Sequence, residues 1–125
     1  MYYGSFRGDV VAVWLDDGRA MKLVAPFEFQ APDGSVWVAQ IGDIIDGASI
    51  PRFFWRIIGG PLWGKYRRAS VIHDVYCALK LESWQDVHKM FWLAMRAEGC
   101  AAWRAKLMFL AVWYFGPRWN RLGCM

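Results

Sequence analysis

His73, Asp74 and His88 are the residues of this chain whose types and spacing best suit chemistry, and the chain has only two histidines. Imidazole and carboxylate groups bind divalent metals, and imidazole also moves protons near neutral pH. Helical periodicity decides whether these groups can meet. Over residues 64–81 the apolar stripe is Ala69, Ile72, Tyr76 and Leu79; His73 falls inside it and Asp74 on its border. Over residues 83–98 the stripe is Trp84, Val87, Phe91 and Ala94. His88 lies on that core side, whereas Asp86 points away. Consecutive helices joined by a tight connection pack antiparallel, so the two histidines are expected to face each other. Asp46, in a Gly-containing loop that follows a strand, is the best fourth group. The expectation is a divalent-metal site of Asp46, His73, Asp74 and His88, with zinc or calcium as the ion and His73 and Asp74 in the catalytic roles. A bound metal would lower the pKa of a water, and a free carboxylate or imidazole would take its proton. The alternative is a buried polar network, with each histidine satisfied by a carbonyl and Asp46 bonding its own turn.

Arg52, Arg56, Lys65, Arg67 and Arg68 form a basic stretch beside these residues. They could rim the site for an anion, with Arg52, Arg67 and Arg68 closest in sequence; a solvated helix face is the preferred reading.

The elements that must position these groups change character along the chain. Residues 9–15 are β-branched and aromatic and run into Asp16-Asp17-Gly18-Arg19, a hairpin turn signal. Short strands follow at 20–24, 26–30 and 35–40, with Pro32-Asp33-Gly34 as a second turn. Pro51 opens a two-turn helix over 52–58, closed by Gly59-Gly60-Pro61. Longer helices are expected over 64–81, over 83–98 with Ser83 and Asp86 resembling a capping box, and over 101–115 before Gly116-Pro117. The predicted architecture is α+β: antiparallel β-hairpins packed on a C-terminal bundle of three main helices. It forms a single domain over 1–125, strand-rich over 5–45 and helical over 51–116.

Composition sets the outer limits. At 125 residues, 57% of them hydrophobic and nine of them Trp, the chain has ample apolar area for one core, and disorder is excluded. A net charge of +4 permits an anionic partner without demanding one, and no pattern for sequence-specific nucleic-acid recognition is present. Cys77, Cys100 and Cys124 form no C-x-x-C and read as incidental thiols of a reducing compartment. The longest apolar run, 107–115, has nine residues against the ~20 of a spanning helix. With no signal-peptide h-region at the start, synthesis in the cytoplasm is expected. The closing helix is apolar nearly all round, which predicts a central helix buried by its neighbours. Membrane contact through Trp113, Trp119, Arg118 and Arg121 is the alternative, and it is not favoured.

Three segments carry a resemblance to a known family: Asp46-Gly47-Ala48-Ser49-Ile50-Pro51-Arg52, Ile72-His73-Asp74, and Phe91 with Met95. They resemble a phage- and prophage-borne family of small proteins with no established function, over roughly residues 25–117. Its pattern adds a W-x-x-x-G stretch, matched by Trp55 and Gly59. Aligned on Phe91, the family's second-helix Asp falls on His88, Cys77 stands where Tyr is usual, and Ile45 where Thr is usual. Asp and His both bind divalent metals, so the exchange at His88 suits a ligand site better than a salt bridge. The helices are also similar to the core of small phospholipases. That likeness implies His73 as base, Asp74 as calcium ligand, carbonyls around Asp46-Gly47, and His88 in the position that orients His73.

The leading expectation is therefore a phage or prophage accessory protein with a metal-dependent, hydrolase-like site. Its competitors are a non-catalytic structural or virion-associated protein that works with other phage proteins, and a phospholipase-like protein acting at membranes. At least three ligands within coordination distance separate a metal site from a structural network.

Overall fold

The computed structural model describes residues 2–16, 18, 20–46 and 67–119. Six short strands fill the first part: β1 (Ser5–Arg7), β2 (Ala12–Trp14), β3 (Met21–Leu23), β4 (Phe27–Gln30), β5 (Val36–Ala39) and β6 (Ile44–Ile45). They form two antiparallel three-stranded sheets, ordered β1-β4-β5 and β2-β3-β6. Three helices follow: α1 (Arg67–Leu79), α2 (Trp84–Ala97) and α3 (Ala102–Phe115). The architecture is α+β, as the sequence predicts. The two-turn helix expected over 52–58, with Arg52, Arg56 and Lys65, lies outside the described residues.

Period-two alternation sets the strand faces. Phe27 and Phe29 are buried while Gln30 is exposed, and Trp37 is buried while Val36 faces out. The Pro32-Asp33-Gly34 turn closes the β4–β5 hairpin, pairing Phe29 with Trp37 and Gln30 with Val36. The Asp33 carboxylate accepts from the Ser35 amide (2.9 Å) and hydroxyl (2.6 Å), which fixes this turn. Tyr76 of α1 reaches the sheet, its hydroxyl accepting from the Val38 amide at 2.9 Å.

The helix ends have specific causes. At the start of α1, Glu98 lies across the amides of Arg68 (3.3 Å) and Ala69 (2.8 Å) and pairs with the Arg68 guanidinium at 3.1 Å. A carboxylate on orphan amides is favourable at a helix N-terminus. The start of α2 is capped by Ser83, whose hydroxyl accepts from the Asp86 amide at 3.1 Å, and Asp86 is exposed as its helical phase predicts. That helix ends at Gly99, whose φ of +92° suits glycine.

Leu23, Phe29, Ile45, Ile72, Phe91, Met95 and Met108 belong to one core cluster that joins both sheets to the helices. Two expectations fail at its edge. Leu79 is 46% exposed because α1 ends there, with Lys80 in the left-handed region. More consequentially, α3 is not a central helix. It buries Ala105, Met108, Ala111 and Val112 against α2 but leaves Trp103, Leu110, Tyr114 and Phe115 exposed. Among the described residues α3 packs chiefly on α2, adding Ala105, Met108 and Val112 to the edge of the core.

Candidate metal centre

His73 and His88 meet across the α1–α2 contact, with His73 Nε2 2.8 Å from His88 Nδ1. Neither histidine has exposed surface. His73 stacks on Phe91, with ring centroids 4.3 Å apart and planes at 24°. Around His88 stand Trp84, Trp113 and Trp119 at centroid distances of 5.7, 6.4 and 6.4 Å. Part of the chain's unusual tryptophan content therefore walls this pair.

The segment after α3 completes the arrangement. Gly116-Pro117 ends the helix, and the Pro117 carbonyl lies 3.0 Å from His88 Nε2. Arg118 caps the Trp113 carbonyl at 2.7 Å and lies over the Trp84 ring at 4.5 Å. Trp119 donates its indole N–H to the Glu82 carbonyl at 2.7 Å. Sequence spacing alone gave no sign that this tail reaches back to His88.

These contacts determine the protons. A carbonyl only accepts, so His88 Nε2 carries the hydrogen and donates to Pro117. In neutral His88, Nδ1 is then the acceptor, and His73 Nε2–H donates to it. Both rings are held neutral. Burial, and then the neighbouring His88, push the His73 pKa well below the usual histidine value. Burial is also the first cause at His88, joined by the positive Arg118; together they outweigh the Pro117 hydrogen bond and bring its pKa down to about 4.

Cys77 is the third member, and sequence reasoning passed it over. Its Sγ lies 3.6 Å from His73 Nε2 and 3.9 Å from His73 Nδ1. Ligand atoms of His73, Cys77 and His88 all lie within 4.8 Å of one another, and the three residues are buried. Such a group could hold a metal ion. Burial, and next the nearby Asp74 carboxylate, push the Cys77 thiol far up, so without a metal it stays protonated. The available signal was its position four residues after His73 on one helix, which places both on one face.

The two carboxylates of the expected set sit differently. Asp74 is buried, and its Oδ2 accepts from the Asp46 backbone amide at 3.1 Å. Asp46 itself is exposed. Neither carboxylate falls within the 4.8 Å cluster, so of Asp46, His73, Asp74 and His88 the structure brings only the two histidines together as close donors. Asp74 instead ties the Asp46 loop to α1. In the expected anion rim, Arg68 is engaged by Glu98, the Gly8 carbonyl (3.1 Å) and the Phe6 ring (4.6 Å). Arg67 reaches the Val10 carbonyl at 3.4 Å, and Arg52 lies outside the described residues.

Comparison with known proteins adds family membership and no activity. Residues 21–112 match a family model described as "Protein of unknown function (DUF1353)". Two relatives come from Sinorhizobium fredii (strain NBRC 101917 / NGR234). Uncharacterized protein y4jT is 42% identical over 121 residues, covering 95% of this chain and 36% of its own length. Uncharacterized protein y4iH is 40% identical over 118 residues, covering 94% of this chain and 49% of its own. The chain thus spans less than half the length of these relatives. No solved structure matches it.

Proposed function

This chain belongs to the DUF1353 family of proteins of unknown function, and we propose that it is a metal-binding protein in which His73, Cys77 and His88 hold one zinc ion. The carrying observation is the convergence of two imidazole nitrogens and one sulfur within 4.8 Å. Tetrahedral zinc, with Zn–N near ~2.0–2.1 Å and Zn–S near ~2.3 Å, requires N···S near ~3.5 Å and N···N near ~3.3 Å. The Sγ–Nε2 separation of 3.6 Å already fits. The Nε2–Nδ1 separation of 2.8 Å must open by roughly 0.5 Å as metal replaces the shared proton. His88 keeps its Nε2–H on the Pro117 carbonyl, the usual outer partner of a ligating histidine. Binding releases the Cys77 proton and moves the His73 proton from Nε2 to Nδ1. The Asp74 carboxylate, near enough to raise the Cys77 pKa, would favour the cation at the same sulfur. Sulfur and imidazole donors suit zinc and not calcium, which takes six to eight oxygens.

Three protein ligands leave one tetrahedral position. A hydrolase-like reaction, in the phage or prophage setting that the Asp46–Arg52 heptad suggests, would use a water there. The lack of exposed surface on His73 and His88 makes substrate access the obstacle, so a structural centre is the version we favour. A phospholipase-like reaction has less support, because the cross-helix partner of His73 is a neutral imidazole where that reaction uses a carboxylate.

A metal-free network is the second reading. The short His73–His88 contact and the Pro117 carbonyl satisfy one another without an ion. Elemental analysis of protein purified without chelator, followed by zinc competition against a chromophoric chelator, separates the two. Our reading predicts about one zinc per chain, lost in Cys77→Ser and His88→Asn. Zinc-free protein with the same melting temperature in chelator and in added zinc would leave the network reading standing.

A further inference from the structure

Residues 99–125 contain Arg104, Lys106, Arg118 and Arg121 and no acidic residue. The remaining 98 residues balance at eleven basic and eleven acidic, so the whole net charge of +4 belongs to this last stretch. The same stretch carries the exposed aromatic face of α3. Trp103, Tyr114 and Phe115 are 62%, 63% and 67% exposed, and Leu110 is exposed beside them. Trp103, Lys106, Leu110 and Tyr114, at i, i+3, i+7 and i+11, share one side of the helix. Next to it a groove of about 530 Å³ runs between α2 and α3, lined by Lys89, Trp92, Leu93, Lys106 and Phe109. Both lysines are exposed, and neither forms an ion pair among the described residues.

We infer that this outward face of α3, with its flanking groove, is a docking surface for an anionic lipid bilayer. Amphipathic rings at both ends of a helix, with the Lys106 ammonium on the same side and Lys89 across the groove, are what an interfacial surface presents. Its 14 residues lie along the surface and do not cross. Charge selects the occupant. A second copy placed symmetrically on this face would bring two more lysines to the same seam, where the groove lining supplies no carboxylate to offset them. A bilayer rich in acidic headgroups meets the same charges with opposite sign. On α2 the acidic residue closest in sequence to Lys89 is Asp86; it lines the neighbouring cleft against the β4–β5 turn, whose wall Lys89 and Leu93 share, and it does not line the groove itself.

Co-sedimentation with phosphatidylcholine vesicles, with and without about 30% phosphatidylglycerol, tests this on the protein as purified. The expected result is binding to the anionic vesicles that weakens as salt rises from about 0.05 to about 0.5 M. Lys106→Gln, at an exposed position, should lower the partition about fivefold. Trp103→Ser combined with Tyr114→Ser should lower it more than about tenfold, with the melting curve and far-ultraviolet spectrum retained. Absence of binding at low salt, equal binding to neutral vesicles, or unchanged partition of the variants would overturn the inference. A dimer in solution abolished by Trp103→Ser would also overturn it and give the face to a second copy.

Discussion

Acidification of the metal-free protein should unfold it from the histidine pair outward. The unfolded chain protonates each imidazole near its ordinary value of 6.5, while the folded protein resists until about 4 at His88 and well below 6.5 at His73. Between those values the unfolded state binds more protons, so stability is complete above about pH 6.5 and is lost as pH falls toward about 4. The His88 shift from 6.5 to about 4 corresponds to roughly 3 kcal/mol at ~1.4 kcal/mol per unit, and solvent screening reduces this to roughly 2 kcal/mol. His73 adds loss of the same sign. Glu98 opposes it: burial raises its pKa, so its contribution grows as pH falls through that raised value toward the unfolded one. Urea unfolding from about pH 7.5 to about pH 4.5 in chelator gives the slope, for the wild type and for His73→Gln/His88→Gln. The double variant should be less stable at neutral pH and flatter across this range. Equal slopes in the two proteins would refute the claim that these rings are held neutral by burial.

Other perturbations follow from the same contacts. His73→Ala removes a buried ring stacked on Phe91 and orphans His88 Nδ1, and should cost roughly 2–4 kcal/mol by urea unfolding. Asp86→Ala, at an exposed position whose capping contact uses the backbone amide, should cost under about 1 kcal/mol. Glu98→Ala strips the cap from α1 and leaves Arg68 without its carboxylate, for roughly 2–3 kcal/mol in the same assay. Cys77→Ala should leave metal-free stability within about 1 kcal/mol of wild type while lowering zinc affinity more than about tenfold in chelator competition.

Much of the fold was legible because local rules and tertiary packing agree here. Alternation at Phe27–Gln30 and at Val36–Ala39 gave the strand faces. The 3.6-residue period put His73 and His88 on the inner sides of two neighbouring helices. Ser83 marked the start of α2 because its capping bond is local. What stayed hidden depends on contacts between distant residues. Glu98 caps a helix that begins some thirty positions earlier, and no pattern along the chain announces that. Pro117 signalled a helix stop, yet its carbonyl's role as the His88 acceptor exists only once the tail folds back. Cys77 belongs to no paired-cysteine pattern along the chain, and its partner is an imidazole one turn away. Asp46 was placed near α1 by its loop, but the amide and not the carboxylate makes the contact with Asp74. The closing helix misled for another reason: apolar composition shows what a helix can bury and does not show whether neighbours remain to cover it.

Zinc K-edge X-ray absorption of the zinc-loaded protein reads the chemistry of the three donor atoms directly. A centre of His73, Cys77 and His88 gives two imidazole nitrogens near ~2.0–2.1 Å, one sulfur near ~2.3 Å and one further light atom. A first shell of oxygen and nitrogen alone in the wild-type protein, with no sulfur, would contradict it.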